Sequence, residues 1–228
     1  MEGIKIKETI KQSLARRGMA KAMLYSWNNV PHVTQMANAR ADNLIKVKQE
    51  SRKTYNDILI KCLVNAVRKA PEVNSTLEGD EWLIYEDINV SVAITSNRGL
   101  FVPVIKNAGT MNVDQIGIAV KELSAKIDAG KLAFDDMSLG TITISNLGAT
   151  GVETGMPVIN SPQGALVFIG NIRKTPVVDA HDHIVVGNEI GFSIAYDHRF
   201  IDGMIAQKFT TAYKDEVENI TMDALYSD

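Results

Sequence analysis

The sequence lacks the features that mark secreted, membrane-spanning or nucleic-acid-binding proteins. Its 228 residues include one cysteine, Cys62, which excludes a disulfide framework and a zinc site built from cysteines. No apolar run approaches the ~20 residues of a membrane span, and residues 1–9 lack the apolar centre of a signal peptide. The formal net charge is only −3, and no basic stripe stands out. We therefore expect a cytoplasmic protein with neither nucleic-acid nor membrane partners.

The hydrophobic spacing predicts helices and strands that share one large core. Helices are predicted over residues 9–27, 42–52, 54–70, 112–130 and 203–217. Strands are predicted over residues 88–94, 100–105, 141–147, 165–169 and 190–196, with shorter ones at 176–178 and 184–186. Because these elements do not follow a strict strand–helix repeat, we expect one domain over residues 1–228. Its class would be α/β of the mixed α+β kind, a mixed β-sheet flanked by helices.

The turn between the last strand and the last helix is the strongest candidate for chemistry. The strand that ends at Tyr196 leads into His198, and Asp202 follows just before the helix. A histidine can accept a proton from a thiol or an alcohol near neutral pH. The residues alone leave a second interpretation open, in which Asp202 caps the helix and His198 is an ordinary strand-end residue.

Residues 196–203 resemble the signature of dihydrolipoamide acyltransferase catalytic domains, the core component of 2-oxoacid dehydrogenase complexes. Chloramphenicol acetyltransferase shares the pattern of a histidine, three residues, an aspartate and a glycine. Other motifs of the family stand in the expected order: Ser26 with residues 31–33, then residues 98–107, 130–132 and 140–148. The likeness covers almost the whole chain. It implies a chloramphenicol acetyltransferase-like fold and a CoA-dependent acyltransferase.

The resemblance also implies roles for three residues. His198 would be the general base that takes the proton from the attacking thiol, and Ser145 would donate a hydrogen bond to the oxyanion. Asp202 would organise the turn through an ion pair, with Arg16 as a candidate partner, or through a helix cap. Ser145 leaves its strand on the face opposite Ile142, so it need not belong to the core. Without the family motif, it would be read as a satisfied strand-end hydroxyl.

By the same resemblance, CoA should contact six residues: Lys48, Thr54, Ser145, Asn146, Gly170 and Ile172. Lys48 stands where the family often has arginine, and it keeps the charge but loses the bidentate fork. Gly170 lacks a side chain, which would let a ligand approach the backbone. Thr54 has a competing role as a helix cap. We expect no metal site, because His181 and His183 lie in a polar turn without a third ligand.

The resemblance implies an assembly as well as a reaction. The sequence shows no lipoyl or peripheral-subunit-binding domain, so the acyl carrier would be a lipoyl group on another domain or protein. Family active sites lie between subunits, which implies a homotrimer and association with 2-oxoacid dehydrogenase complex subunits. The tail at residues 222–228 carries two acids instead of the family's apolar run, which makes a larger cage less expected. Two alternatives stay open: an O- or N-acetyltransferase for a small molecule, and a non-catalytic structural core of a multienzyme complex.

Overall fold

A computed structural model describes residues 4–227 of the chain, and its centre is a six-stranded mixed sheet. The strands are β1 (His32–Arg40), β2 (Ser75–Glu78), β3 (Glu81–Ile84), β4 (Val90–Val92), β5 (Ile94–Ser96), β6 (Gly99–Phe101), β7 (Val104–Ile105), β8 (Ile142–Asn146), β9 (Ala165–Val178) and β10 (Ile184–Asp197). The order in the large sheet is β1-β10-β9-β8-β4-β7. Strand β8 runs parallel to both of its neighbours, and the other pairs are antiparallel.

Among residues 4–227, every α-helix except the first packs on one face of this sheet. The helices are α1 (Leu14–Asn29), α2 (Asp42–Ser51), α3 (Tyr55–Lys69), α4 (Val113–Asp128), α5 (Gly203–Glu218) and α6 (Met222–Tyr226). Alternate strand residues such as Ile144 and Phe192 enter the core between sheet and helices, where the Phe192 and Tyr213 rings meet edge to face at 5.0 Å. The chain between β8 and β9 crosses the other face, where Ser193 donates to the carbonyl of Gly155 at 2.6 Å. The predicted mixed sheet with flanking helices is confirmed.

The first helix departs from the prediction. It begins at Leu14 instead of residue 9, because the Ser13 hydroxyl accepts a hydrogen bond from the Arg16 amide at 3.2 Å and caps the first turn. Two of its apolar side chains, Leu14 and Trp27, are 80% and 65% exposed. Residues 4–227 therefore leave these two apolar side chains of α1 uncovered.

Two predicted pairs of short strands are continuous, and one predicted strand is broken. Residues 165–169 and 176–178 join in β9, while residues 184–186 and 190–196 join in β10. A register shift between Ile190 and Phe192 lets the pair continue past an irregularity. The predicted strand at 100–105 divides into β6 and β7 around Pro103, which has no amide hydrogen to donate to a ladder. The predicted strand at 88–94 similarly divides into β4 and β5.

The C-terminal segment folds back onto the chain. Leu225 of α6 is buried, and Lys61 donates to the carbonyl of Ser227 at 2.6 Å and to that of Met111 at 3.1 Å. Residues 1–3 and 228 of the predicted domain lie outside the described residues. Among residues 4–227, no helix is long and apolar enough to cross a lipid bilayer.

Candidate active site

A cavity of about 750 Å³ opens where β8 ends, between the first turn of α3 and the side of α4. A volume of this size lies within the range of small-molecule sites. Four of the six residues predicted to contact CoA line it, namely Thr54, Asn146, Gly170 and Ile172. The other lining residues are Tyr55, Asn56, Asp57, Leu59, Val120, Lys121, Gly148, Ala149, Ile169 and Ile190. The structure thus brings together residues that are far apart in the sequence.

Thr54 serves as both helix cap and cavity wall. Its hydroxyl accepts from the Asp57 amide at 3.2 Å, and the Asp57 carboxylate accepts from the Thr54 amide at 3.0 Å. This capping box leaves the hydroxyl hydrogen of Thr54 available as a donor. It also fixes the positive end of the α3 dipole beside the cavity, which favours a negatively charged ligand group.

Asn146 builds the turn that closes the same wall. Its amide nitrogen donates to the Asn56 side-chain oxygen at 2.7 Å, and its own oxygen accepts from the Gly148 amide at 2.8 Å. The nitrogen of the side chain therefore joins the end of β8 to the start of α3, while its oxygen closes the turn that follows β8. Asn146 shapes this wall of the cavity.

The absence of a side chain at Gly170 was predicted to make room for a ligand, but it makes room for the chain's own backbone. A Cβ atom at this position would lie 1.9 Å from the carbonyl oxygen of Glu153. The Asn171 amide donates to the Val152 carbonyl at 2.7 Å, which holds that segment against β9. The chain's own backbone therefore requires the glycine, although Gly170 also lines the cavity.

Lys48 lies beside this group of residues rather than in the cavity wall. Its ammonium nitrogen is 5.7 Å from the centre of the Tyr55 ring, and Tyr55 lines the cavity. Lys121 lines the cavity and was missed by the sequence analysis. It lies on the exposed side of α4, where the helical pattern alone gives it the appearance of a solvated residue.

Ser145 points away from the cavity. It follows Thr143 on the face of β8 opposite Ile142 and Ile144, as predicted, and is half-buried. The Ser145 hydroxyl makes no hydrogen bond to any of residues 4–227. The hydroxyl can therefore donate to a group that arrives at this face.

His198 occupies the tight turn that follows β10. Its backbone amide donates to the Pro31 carbonyl at 3.1 Å, and its ring lies 5.6 Å from the Tyr196 ring. Its side chain is exposed, and its imidazole makes no hydrogen bond to any of residues 4–227. A base in this setting is open to a substrate from outside the chain.

A strong ion pair that the sequence analysis missed holds this turn. The Asp197 carboxylate accepts two hydrogen bonds from Arg199 Nε, at 2.9 and 3.1 Å, and one from Nη2 at 2.6 Å. The bond to Asp197 raises the pKa of Arg199 above its ordinary value. Asp197 and Arg199 stand two residues apart, and side chains at this spacing lie on the same face of a strand, which was the available signal.

The structure gives Asp202 one of its two expected roles. Its carboxylate accepts from the amides of Met204 and Ile205, both at 2.9 Å, and caps α5. The expected ion pair with Arg16 is absent from the described residues. Arg16 instead lines a separate surface cavity together with Arg98 and Leu100.

Within one chain, His198 and Ser145 lie at opposite ends of the large sheet. Ser145 pairs with Phe168 on one side of β9, while the amide of Asp197 donates to Gly164 on the other side. Two interstrand spacings and about five residues along the sheet therefore separate the two side chains, or about 20 Å. One chain alone cannot bring both to a single reacting atom.

The remaining histidines are held by local structure. His32 bonds the Val30 carbonyl through Nδ1 at 2.7 Å, and its Nε2 accepts from the Ile159 amide at 3.0 Å. Asp179 accepts from the amides of His181 and His183 at the β9–β10 turn, and these bonds lower the pKa of the Asp179 carboxyl. Within residues 4–227, no three histidine, cysteine or acidic side chains group in a way that could hold a metal ion.

The fold is chloramphenicol acetyltransferase-like. A chloramphenicol acetyltransferase aligns over 86% of this chain and 94% of its own, with a TM-score of 0.58 and 13% identity. The family described as 2-oxoacid dehydrogenases acyltransferase (catalytic domain) matches residues 5–224. The chain therefore belongs to the family of 2-oxoacid dehydrogenase acyltransferase catalytic domains.

Relatives and solved structures agree with this assignment. The lipoamide acyltransferase component of the branched-chain alpha-keto acid dehydrogenase complex of Bacillus subtilis is 32% identical over 215 residues, 90% of this chain and 51% of the relative. The dihydrolipoyllysine-residue acetyltransferase component of the pyruvate dehydrogenase complex of Staphylococcus aureus is 35% identical over 218 residues, 91% of this chain and 50% of that protein. The chain thus spans about half the length of these relatives.

Two crystal structures superpose closely on the fold. A probable dihydrolipoamide acetyltransferase of Listeria monocytogenes has a TM-score of 0.90 and 34% identity, with 96% of this chain and 99% of that chain covered. A dihydrolipoamide acetyltransferase of Azotobacter vinelandii has a TM-score of 0.87 and 28% identity, with 95% and 93% covered. The latter was studied for the roles of a serine, a histidine and an asparagine in its catalytic mechanism.

Proposed function

We propose that this chain transfers an acyl group between CoA and the thiol of a dihydrolipoyl group carried by another domain or protein. The observation that carries the proposal is the cavity of about 750 Å³ lined by Thr54, Asn146, Gly170 and Ile172. CoA combines phosphates with a long, largely apolar arm. The α3 N-terminus, Lys48 and Lys121 suit the phosphates, while Ile169, Ile172 and Ile190 suit the arm.

His198 is the proposed general base and Ser145 the proposed oxyanion donor. His198 takes the proton from the attacking thiol, and the thiolate attacks the thioester carbonyl carbon. Attack produces a tetrahedral oxyanion, to which Ser145 donates a hydrogen bond. The oxyanion then collapses, and the thiolate of the acyl donor leaves. The Azotobacter protein supports this pair, because its serine precedes its histidine by 52 residues, against 53 here. Its asparagine follows the histidine by four residues, at the position of Asp202.

The working site lies between two chains in this proposal, as in a homotrimer. His198 and Ser145 of one chain are about 20 Å apart by strand geometry, so each needs its counterpart from a neighbour. The surface at the histidine end is suited to a partner, since Leu24, Tyr25 and Met204 are 61%, 62% and 74% exposed. Large exposed apolar side chains are typical of protein interfaces where they form a patch.

The proposed acyl carrier follows from the relatives of the chain. The named relatives serve pyruvate and branched-chain complexes, so a lipoyl protein of a 2-oxoacid dehydrogenase complex is the proposed partner. The cytoplasmic location and the single domain over residues 1–228 stay predictions.

The test is acyl transfer from acetyl-, isobutyryl- and succinyl-CoA to dihydrolipoamide, followed as CoA thiol release. We expect transfer with at least one donor and strong preference over small alcohols and amines. Efficient transfer to a small alcohol or amine would instead support the acetyltransferase alternative. If purified wild-type protein transfers to none of these acceptors, the catalytic proposal fails in favour of a structural core.

Mixing two inactive variants tests the placement of the site between chains. His198→Ala and Ser145→Ala proteins are unfolded separately and refolded together at equal amounts. Each site in a trimer then draws its histidine and its serine from different chains, and about a quarter of sites are intact. Recovery near a quarter of wild-type activity is expected. No recovery, from chains that refold into mixed trimers, would place both residues in one chain's site.

A further inference from the structure

We propose that Arg199, paired with Asp197, is a positioning residue for His198. The proposal rests on the proposed function, because His198 is the base of that reaction. Arg199 does not need to touch substrate in this role. It would act by fixing the turn from which the imidazole projects.

The pair has a geometry that is unusual among the ion pairs of this chain. The Asp197 side chain is 3% exposed, whereas that of Arg199 is 42% exposed. Arg199 offers Nε and Nη2 to the two carboxylate oxygens, and its own amide donates to Asp197 Oδ1 at 3.1 Å. A buried carboxylate is costly unless it is paired and hydrogen-bonded. Arg199 therefore satisfies Asp197 through both its side chain and its backbone.

The pair flanks His198 directly. His198 lies between the two partners in the sequence, and its imidazole has no hydrogen bond among residues 4–227 that would set its orientation. Its backbone is held by Pro31, and the Ile201 amide donates to the Asp197 carbonyl at 3.0 Å. The direction of the ring thus depends on the backbone of the turn. The Asp197–Arg199 pair is the side-chain contact that ties the two sides of this turn together.

A second pair in the chain provides a matched control. Arg40 donates to Asp42 through Nε at 3.2 Å and Nη2 at 2.9 Å, across the same interval of two residues. The Arg40 side chain is 40% exposed, but that of Asp42 is 45% exposed. Arg40 pairs with Glu189 at the opposite end of the β1–β10 ladder from Asp197. Arg40→Met removes a similar arginine without affecting the histidine turn.

The experiment compares Arg199→Met, Asp197→Asn, the double variant and Arg40→Met as full chains. We expect the first two to lower kcat by about 10- to 100-fold, because a small misplacement of a catalytic group strongly lowers the rate of reaction. The KM for CoA should stay unchanged, since the cavity lies at the other end of the sheet. The double variant should lose no more than the worse single variant, Arg199→Lys should retain part of the rate, and Arg40→Met should match wild type.

The two single variants should have opposite effects on the pH profile. Arg199→Met leaves the Asp197 carboxylate unpaired beside His198, so the acid limb of kcat/KM moves to higher pH. Asp197→Asn leaves the guanidinium uncompensated, so the limb moves to lower pH. Two other titratable groups act on this turn: the charge of Asp202 acts on Tyr196, and that of Tyr25 acts on Arg199. Both are present in every variant, so they do not cause a difference between the variants. A merely structural role would lower the amount of folded protein without opposite shifts.

A second readout does not require turnover. Histidine labelled with ¹³C at Cε1 lets NMR follow the titration of His198, assigned from the His198→Ala spectrum. Opposite shifts of its midpoint in Arg199→Met and Asp197→Asn, with none in Arg40→Met, would support the pairing even if no acyl transfer were detected. Unchanged midpoints and unchanged kcat in both variants would overturn the proposal, whatever the fate of the proposed function.

Discussion

The two ends of the six-stranded sheet hold their polar groups in different ways. At the cavity end, Thr54 and Asn146 are each fixed by two hydrogen bonds. At the histidine end, His198 is exposed, and its backbone is bonded to Pro31. A base that must meet a serine about 20 Å away can remain open until a second chain covers it.

The largest difference between the two ends is expected when the proposed base, His198, is removed. His198→Ala should lower kcat by about 10²–10⁴-fold, because a positioned general base contributes that much. CoA affinity measured by calorimetry should not change, since the cavity belongs to the other end. His183→Ala, which removes an exposed histidine from the β9–β10 turn, is the control. Loss of CoA binding in His198→Ala would mean that the two ends are not separate.

The converse change is made at the cavity end. In Gly170→Ala, the new Cβ would lie 1.9 Å from the Glu153 carbonyl oxygen, so the backbone must shift. Forced overpacking costs about 1–3 kcal/mol of unfolding free energy. We expect a lower Tm and weaker CoA binding.

Gly18→Ala is the matched control for the cavity variant, because a Cβ there meets no atom of residues 4–227 within 4 Å. Wild-type Tm and CoA affinity in Gly170→Ala would show that the segment at Val152 and Glu153 moves freely. The close approach would then have no part in shaping the cavity.

A smaller effect is expected at the rim of the cavity. Lys48→Met removes a cation beside Tyr55 and should raise the KM for CoA several-fold, equivalent to about 1 kcal/mol or less. Lys48→Arg should match or improve on wild type, because a guanidinium can bind a phosphate through two parallel bonds. The difference between Lys48→Met and wild type should shrink with added salt.

Lys214→Met, a change on α5 at a lysine that pairs only loosely with Glu218 at 3.9 Å, is the control for the rim. An equal rise of KM in this variant would show that net charge matters rather than the position of Lys48.

The elements that sequence reasoning found are those whose signals are local. Thr54 with Asp57 and Asn112 with Gln115 predict two helix starts, and both form capping boxes. The alternation around Ile142 and Ile144 similarly predicts β8 and the outward face of Ser145. These signals lie within a few residues, so the chain around them needs no tertiary information.

The parts that could not be predicted depend on distant segments. The reason for glycine at position 170 is the carbonyl of Glu153, and the sequence does not show that this loop crosses β9. The apolar residues of α1 do not show in the sequence whether the rest of the chain covers them, and in the structure Trp27 is 65% exposed. Asp197 and Arg199 are near in sequence, yet only the end of β10 turns their side chains toward each other.

A last pair of variants separates the two roles offered for Asp202. Asp202→Ala removes the acceptor of the Met204 and Ile205 amides, which should cost about 0.5–2 kcal/mol of unfolding free energy at equal protein concentration. Asp202→Asn keeps an acceptor at the cap, so it should retain most of the stability and the turnover. The asparagine of the Azotobacter protein, at the same interval from its histidine, agrees with this. If Asp202→Asn loses as much turnover as Asp202→Ala, the negative charge is required. A partner cation from a neighbouring chain would then have to replace the cap as the explanation for this residue.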